Sequence, residues 1–340
     1  MMTDDSRNRY EVAVIGGGAA GLNGALLLAR ARRSVVVIDA GEPRNAPAAG
    51  VHGLLGLEAT PVAELLERGR EEVRGYGGHV LSGRVTTATR RGAEFVMGLG
   101  DGRTVRANRL LVTTGLVDEL PEVAGLRERW GRDVVHCPYC HGWEVRDRAV
   151  GVLATGPMSV HQALLFRQWT SDVTFFSHTL PRPGAEELDR LAARGIGVVD
   201  GEVISLETGE AGITGVRLAD GTVVEREVLA VSPRMTARAA PLAQLGLHAV
   251  EHPAGVGEHV PADATGGTEL EGVWVAGNVT DLSAQVGPAA AAGATAAARI
   301  NAELVERETT RAVAALRDTF STDSEARVCE LVAGNRRHGL

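Results

Sequence analysis

The sequence predicts an α/β fold built on two Rossmann-like dinucleotide-binding units. Three observations predict it. A glycine-rich turn, residues 16–21, sits between an apolar strand and a helix near the start of the chain. A second strand–helix–strand succession begins near residue 149. A late apolar strand, 272–276, ends in Gly277 and leads into a long helix. The two units share a fold signature but not a sequence repeat.

Residues 10–15 are a short β-branched run, as a strand buried on both faces requires. Residues 22–33 have helical patterning with a basic end, and 34–38 form a second apolar strand that ends at Asp39. Residues 63–74 read as a helix. Alternating segments at 80–87, 94–98 and 104–112, with a turn at Asp101-Gly102, read as β structure returning to the first sheet. In the second unit, 149–153 and 172–176 are strands, 159–170 and 185–194 helices, and 197–203 is extended. Residues 216–231 read as a hairpin around Asp220-Gly221, and a helix runs from about 288 past 303. Residues 319–340 are polar and read as a loose tail, with Cys329 incidental in it.

The chain has 340 residues, enough for one to three domains. Apolar residues make up 44% and charged residues 23%, the balance of a soluble globular protein. The net charge of -8, with no Lys/Arg stripe carrying interleaved aromatics, argues against a nucleic-acid partner. No run of eighteen apolar residues exists, so no membrane span is expected; 286–298 is Gly/Ala-rich and reads as a packed helix. Residues 1–9 are polar and show no signal-peptide pattern, so a cytoplasmic location is expected. Three cysteines make no disulfide framework, and a close pair in a reducing compartment points to redox chemistry or metal binding.

In Gly16-x-Gly18-x-x-Gly21, Gly16 permits the tight turn, Gly18 lets backbone approach a pyrophosphate, and Gly21 lets helix and strand pack closely. The helix start, with Ala19 and Ala20, favours phosphate charge. Asp39, eighteen residues beyond Gly21 and followed by Ala40, can accept hydrogen bonds from ribose hydroxyls. A glycine turn in an ordinary α/β sheet would need neither the helix start nor the acid.

His136-Cys137-Pro138-Tyr139-Cys140-His141-Gly142-Trp143-Glu144 is the other informative stretch. Two cysteines three apart at a helix start can close a small disulfide, and the helix dipole raises the thiolate fraction. Cys-x-x-Cys-His also matches c-type haem attachment, but export and an axial ligand are not evident. A zinc site needs four ligands, and Cys329 is the only other cysteine, so no metal is expected. An inert structural pair is the remaining alternative to a redox pair beside a flavin.

Val112-Thr113-Thr114-Gly115 and Trp274-Val275-Ala276-Gly277-Asn278-Val279-Thr280-Asp281 resemble the matching segments of two-dinucleotide flavoproteins. With the glycine motif and the cysteine pair in this order, residues 10–305 resemble the low-molecular-weight thioredoxin reductases. The Cys-Pro-Tyr-Cys-His-Gly version is most similar to the thioredoxin-reductase-like dithiol oxidases that close disulfides in natural products such as holomycin, gliotoxin and romidepsin. The resemblance implies two three-layer ββα dinucleotide-binding domains, the second inserted in the first. It divides the chain into an FAD domain of residues 1–117 and 245–318 and a central NAD(P)-type domain of 118–244, and it implies a homodimer. It further implies that Cys140 faces the flavin and forms its C4a adduct while Cys137 exchanges with the substrate dithiol. His141 stands where reductases carry an acid; it can take a proton from an incoming thiol or simply bond within the turn. The same choice holds for His136. Asn278 stands where the family usually has Asp, with Asp281 nearby. Gly115, Thr114, Gly277, Asn278 and Asp281 are FAD-site candidates. So are Arg44 and Asn45 after Pro43, although Arg44 also reads as a surface residue. His52 reaches the isoalloxazine or is structural, and Gln285 and Val286 meet the flavin pyrimidine edge.

A nicotinamide site in the central unit needs its own fingerprint. That stretch reads Ala154-Thr155-Gly156-Pro157-Met158-Ser159. Ala154 and Ser159 replace glycines, and Pro157 lacks an amide donor. No arginine follows the next strand before Arg182, where reductases hold the 2′-phosphate. NADPH binding is therefore expected to be weak or absent. The expected function is oxidation of a small dithiol or peptide substrate through Cys137, Cys140 and FAD, with O2 as acceptor and H2O2 as product. The alternatives are an NAD(P)H-dependent thioredoxin-type reductase and a non-catalytic flavin redox sensor.

Overall fold

In the computed structural model, residues 8–317 and 322–335 are described. The first sheet opens with β1 (Arg9–Ile15), α1 (Ala19–Arg30) and β2 (Val35–Asp39). α2 (Val62–Gly75), β3 (His79–Ser82), β4 (Val85–Arg91), β5 (Glu94–Leu99) and β6 (Thr104–Val112) follow. β3, β2, β1 and β6 lie side by side and parallel, whereas β5 and β4 continue the order antiparallel. Both faces of β1 are buried, which is why it is apolar without alternation. Val12 and Val14 pack with helical residues such as Ala25 and Leu28, while Ala13 and Ile15 pack with Phe95 and Met97 of β5.

The chain leaves through β7 (Leu116–Glu119) and α3 (Leu126–Arg129). The second unit then runs β8 (Val134–Val135), α4 (Pro138–His141), β9 (Val150–Leu153), α5 (Ser159–Phe166), β10 (Val173–Phe176), α6 (Ala185–Ala193) and β11 (Gly197–Val199). β12 (Val203–Gly209), β13 (Gly212–Leu218), β14 (Val223–Val224) and β15 (Val228–Val231) complete it. Its sheet, ordered β11-β10-β9-β15-β8, is parallel throughout. Val228 and Ala230 face the helices with Phe166, and Leu229 and Val231 face the β12–β14 layer with Val216.

The return runs through β16 (Arg234–Ala237), β17 (Val250–Glu251), β18 (Gly257–His259) and β19 (Val273–Val275), then α7 (Val286–Arg317) and α8 (Thr322–Asn335). β16 pairs antiparallel with β7, so the outgoing and returning connections between the two sheets hydrogen-bond to each other. β19 pairs parallel with Leu110–Val112 of β6 and brings the C-terminal segment back into the first sheet. α7 crosses α1 at Gly293, where a Cβ would stand 1.9 Å from the Ala20 carbonyl oxygen. That close approach is available only to glycine, and it seats α7 against the first turn of α1. The result is the expected three-layer α/β architecture, twice over.

Several elements differ from the sequence reading. α1 begins at Ala19, three residues early, because the glycine turn runs straight into it. Residues 80–87 are two strands broken at Gly83-Arg84, and 197–203 is broken near Gly201. α5 stops at Phe166, with residues 167–169 in turns. Residues 216–231 are not one hairpin: β14 pairs with β13, whereas β15 joins β9 in the other sheet. Of the loose tail at 319–340, Thr322–Asn335 is helical, and 318–321 and 336–340 lie outside the described residues. No helix among the described residues is long and apolar enough to cross a membrane.

Candidate active site

A cleft of about 1760 Å³ runs between the two sheets, and nearly every residue singled out from the sequence lines it. Its volume exceeds the roughly 300–1,000 Å³ of small-molecule pockets, as an extended dinucleotide requires. Gly16, Gly18, Ala19, Ala20, Asp39, Ala40, Arg44, Asn45 and His52 contribute from the N-terminal segment. Thr114, Gly115, Gly277, Asn278, Asp281, Gln285 and Val286 come from the segments after β6 and β19. Cys137, Cys140, His136 and His141 enter from the central unit.

The glycine turn fits a dinucleotide. A Cβ on Gly18 would meet nothing within 4 Å, so its outer side is open to a ligand. α1 starts there with no side chain capping its first amides, which leaves the positive end of a twelve-residue helix facing the cleft. Asp39 Oδ1 accepts from the Gly17 and Gly41 amides at 3.2 Å each, and its Oδ2 accepts from Arg70 at 3.1 Å. The carboxylate is thereby oriented at the end of β2, where a ribose would sit.

Gly21 has the close helix–strand packing role expected of it, not a place in the cradle. It does not line the cleft; a Cβ there would lie 2.0 Å from the Gly16 carbonyl oxygen and 2.6 Å from Thr113 Oγ1. It is a packing glycine, with no ligand role. The Asn278 Nδ2 donates to the carbonyls of Asp281 and Ala284 at 2.9 Å each, which ties the turn before α7. Arg44 is no free surface arginine: it pairs bidentately with Asp118 of β7 at 2.8 and 2.6 Å. His52 Nδ1 bonds Glu58 at 2.6 Å, and its Nε2 lies 3.6 Å from Glu144 beyond the cysteine turn, the structural alternative of its two readings. Thr114 donates to the Arg238 carbonyl at 2.9 Å.

The cysteine pair sits where β8 ends. Pro138 starts the four-residue α4, and Cys137 is its N-cap. The Cys137 carbonyl accepts from the Cys140 and His141 amides at 3.1 Å each, which closes the turn and turns both sulfurs to one side. Gly142 lets the turn rest on Trp169, because a Cβ there would stand 2.7 Å from the indole. Donation from the Cys140 thiol, helped by the Gln285 amide and backbone N–H groups, outweighs burial and brings Cys137 down to about 6. Cys140 is pushed up by that same donation and by burial.

Two histidines flank the pair. Burial, and next the Arg44 guanidinium, push His136 down to about 4, so it is neutral at physiological pH. Burial also lowers His141, against the pull of Glu144. His141 Nδ1 is buried with no hydrogen-bond partner among the described residues, a neutral imidazole available to take a proton. No group of three or more His, Cys, Asp or Glu among the described residues is arranged to hold a metal ion. Cys329 is exposed on α8, away from the cleft lining.

The sequence reading missed two participants, Asp118 and Gln162, and the bonding role of a third, Ser159. Asp118 anchors Arg44; its signal was only an acid three residues after the Thr-Gly segment. Gln162, 6% exposed, donates to the His136 carbonyl at 2.8 Å and holds the turn from α5. Ser159 accepts from the Thr155 and Gly156 amides at 3.1 and 3.2 Å, so a side chain of the chain itself fills the loop of the second fingerprint.

Comparison with known proteins agrees with this arrangement. The profile of the pyridine nucleotide-disulphide oxidoreductase family matches residues 10–298. Thioredoxin reductase sirT of Leptosphaeria maculans is 28% identical over 313 residues, covering 86% of this chain and 93% of that protein. Thioredoxin reductase tcpT of Claviceps purpurea is 36% identical over 180 residues; that match covers 50% of this chain and spans only 56% of the relative's length. The crystal structure of HlmI superposes with a TM-score of 0.86 at 42% identity, covering 92% of this chain and 98% of that one. An oxidoreductase from Agrobacterium tumefaciens superposes with a TM-score of 0.81 at 36% identity, covering 87% and 99%. A dinucleotide cradle, a cysteine pair facing it and this breadth of likeness lead to one assignment: the chain belongs to the pyridine nucleotide-disulphide oxidoreductases, as a thioredoxin reductase-like enzyme of that flavoprotein family.

Proposed function

We propose that this chain is an FAD-dependent dithiol oxidase. It converts a small dithiol and O2 to the cyclic disulfide and H2O2. FAD would lie along Gly16, Gly18, Ala19 and Ala20, with its ribose at Asp39. When bound, the flavin supplies a two-electron acceptor that oxygen can regenerate. Cys137 and Cys140, as a disulfide, take two electrons from the substrate dithiol. A substrate thiolate attacks Cys137, the second substrate thiolate closes the new disulfide, and Cys140 keeps one proton. His141 accepts the proton of the incoming thiol, because burial keeps its imidazole neutral.

The observation that carries this direction is the second fingerprint loop. There the Ser159 hydroxyl accepts from the Thr155 and Gly156 amides just before α5, so the chain's own side chain takes two donors of that loop. Pro157 offers no amide there. Arg182, the first arginine past β10, is paired with Asp200, which also accepts from Ser177 at 2.9 Å. The His178 Nδ1 accepts the Val203 amide at 3.0 Å. These groups leave little to hold a nicotinamide dinucleotide. The names of the fungal relatives favour the second reading, an NAD(P)H-driven disulfide reductase with the opposite electron flow.

One anaerobic experiment separates the two. The flavin-loaded enzyme is mixed with dithiothreitol or with NADPH and its visible absorbance followed. Bleaching by the dithiol alone is expected, with recovery and H2O2 on admitting air. Bleaching by NADPH at catalytic rates sinks the oxidase reading, and full dithiol-driven bleaching in Cys140→Ser sinks the role of the pair.

A further inference from the structure

Gln285 stands immediately before α7, on the cradle side of the cleft, and reaches across it to the cysteine turn. Its Nε2 lies 3.6 Å from Cys137 Sγ and 3.7 Å from Cys140 Sγ. Both contacts fall within the range for hydrogen bonds to sulfur. The flavin-edge role implied by family resemblance does not explain this reach. The segment carrying Gln285 is held on both sides. Asn278 donates to the Ala284 carbonyl at 2.9 Å, and the Gln285 carbonyl accepts from the Ala289 amide at 2.9 Å. The carboxamide is therefore presented to the sulfurs by a braced turn.

The acceptor matters. An N–H donor gains most from an ionised acceptor, and a disulfide sulfur accepts poorly. Reduction of the pair breaks the S–S bond and adds two electrons. The substrate dithiol releases two protons; one stays on Cys140 and the other leaves as H+, so Cys137 carries the negative charge. The amide then meets its best acceptor only in the reduced enzyme.

We infer that Gln285 is the donor that stabilises the reduced Cys137/Cys140 pair across the cleft, and thereby strengthens the pair as an oxidant of substrate dithiols. This rests on the reading of the pair as the redox centre. The charged and titratable groups facing the pair are Arg44, Asp118, His136, His141, Glu144 and, through Glu144, His52. All of them remain in a Gln285 variant, so a change there isolates the amide.

The test uses the full-length, flavin-loaded protein with Cys329→Ser, which leaves two cysteines. Gln285→Met keeps the length without a donor, and Gln285→Glu keeps the shape while adding negative charge. Each is equilibrated in glutathione redox buffers and the dithiol fraction counted by alkylation and mass spectrometry. Gln285→Met should shift the equilibrium about tenfold toward the disulfide, which for a two-electron couple is about 30 mV more negative. Gln285→Glu should shift it further. Iodoacetamide should alkylate Cys137 about threefold more slowly near pH 6.5 in Gln285→Met, while flavin content and melting temperature report an intact fold. If Gln285→Met loses its flavin, Gln285→Glu carries the test. An equilibrium and an alkylation profile that do not move in a folded variant overturn the inference. A wild-type pair that, once reduced, never re-forms its disulfide in air sinks the redox reading itself, whatever Gln285 does.

Discussion

Gly18→Ala tests whether the glycine turn is a ligand cradle. Gly18 has φ of -80° and ψ of -172°, an extended conformation that alanine adopts without strain. Its Cβ would touch no protein atom within 4 Å. The folded apo chain should be indifferent: alanine is the poorer N-cap by some tenths of a kcal/mol, but it loses about as much less entropy on folding. The apo melting temperature should therefore move by no more than the equivalent of about 0.5 kcal/mol. The flavin should notice. The methyl group enters the space where backbone amides reach the pyrophosphate, and each lost hydrogen bond to a charged acceptor costs about 1.5–3 kcal/mol. Weakening by at least about tenfold follows, read by titrating apo protein with FAD and following flavin fluorescence. Gly21→Ala is the control with the opposite signature. Its Cβ would lie 2.0 Å from a carbonyl oxygen, so the apo protein itself should lose about 3 kcal/mol or fail to fold. Wild-type FAD affinity in Gly18→Ala, or an apo protein destabilised as much as Gly21→Ala, would refute the separation of ligand glycine from packing glycine.

Asp118→Asn leaves Arg44 without its bidentate partner in a half-buried site and should cost about 2 kcal/mol, between exposed and buried ion pairs, measured by urea unfolding. Ser159→Ala frees the Thr155 and Gly156 loop amides and should lower stability by about 1 kcal/mol, as loss of a hydroxyl that satisfies half-buried donors does; an unchanged melting temperature would show that the hydroxyl is not engaged. His136 is neutral in the fold down to about 4 but takes its proton near 6.5 once exposed. The unfolded chain binds that proton more readily, so stability is intact above pH 6.5 and drains away as pH falls toward 4, by about 3 kcal/mol in all. His136→Gln should flatten that part of the pH profile in denaturant melts, and a slope identical to wild type would contradict the assignment.

Much of the fold could be read from local patterns. β1, β2, β9 and β10 are short apolar runs because both of their faces are buried, and such burial is written into consecutive residues. β15 misled for the same reason: Val228–Val231 is apolar enough for a central parallel strand, but a nearby Asp-Gly turn suggested a hairpin partner. Only long-range pairing decides between the two. β7 and β16 are four residues each and pair with one another across more than a hundred positions, which no local period reveals.

The sequence by itself determined the chemistry available: a glycine turn with its strand, helix and acid, a cysteine pair three apart, and a second fingerprint lacking its first and last glycines. Those are properties of contiguous residues, where each side chain's role follows from its neighbours. The tertiary structure alone decided what each group faces. It occupied Asn278 and Arg44 with protein partners and placed the Ser159 hydroxyl on the amides of the second loop. It also brought Gln285 to sulfurs more than 140 positions away. Hydrogen bonds act over about 3 Å of space, whatever the separation along the chain, so such partners become visible only once the chain is folded.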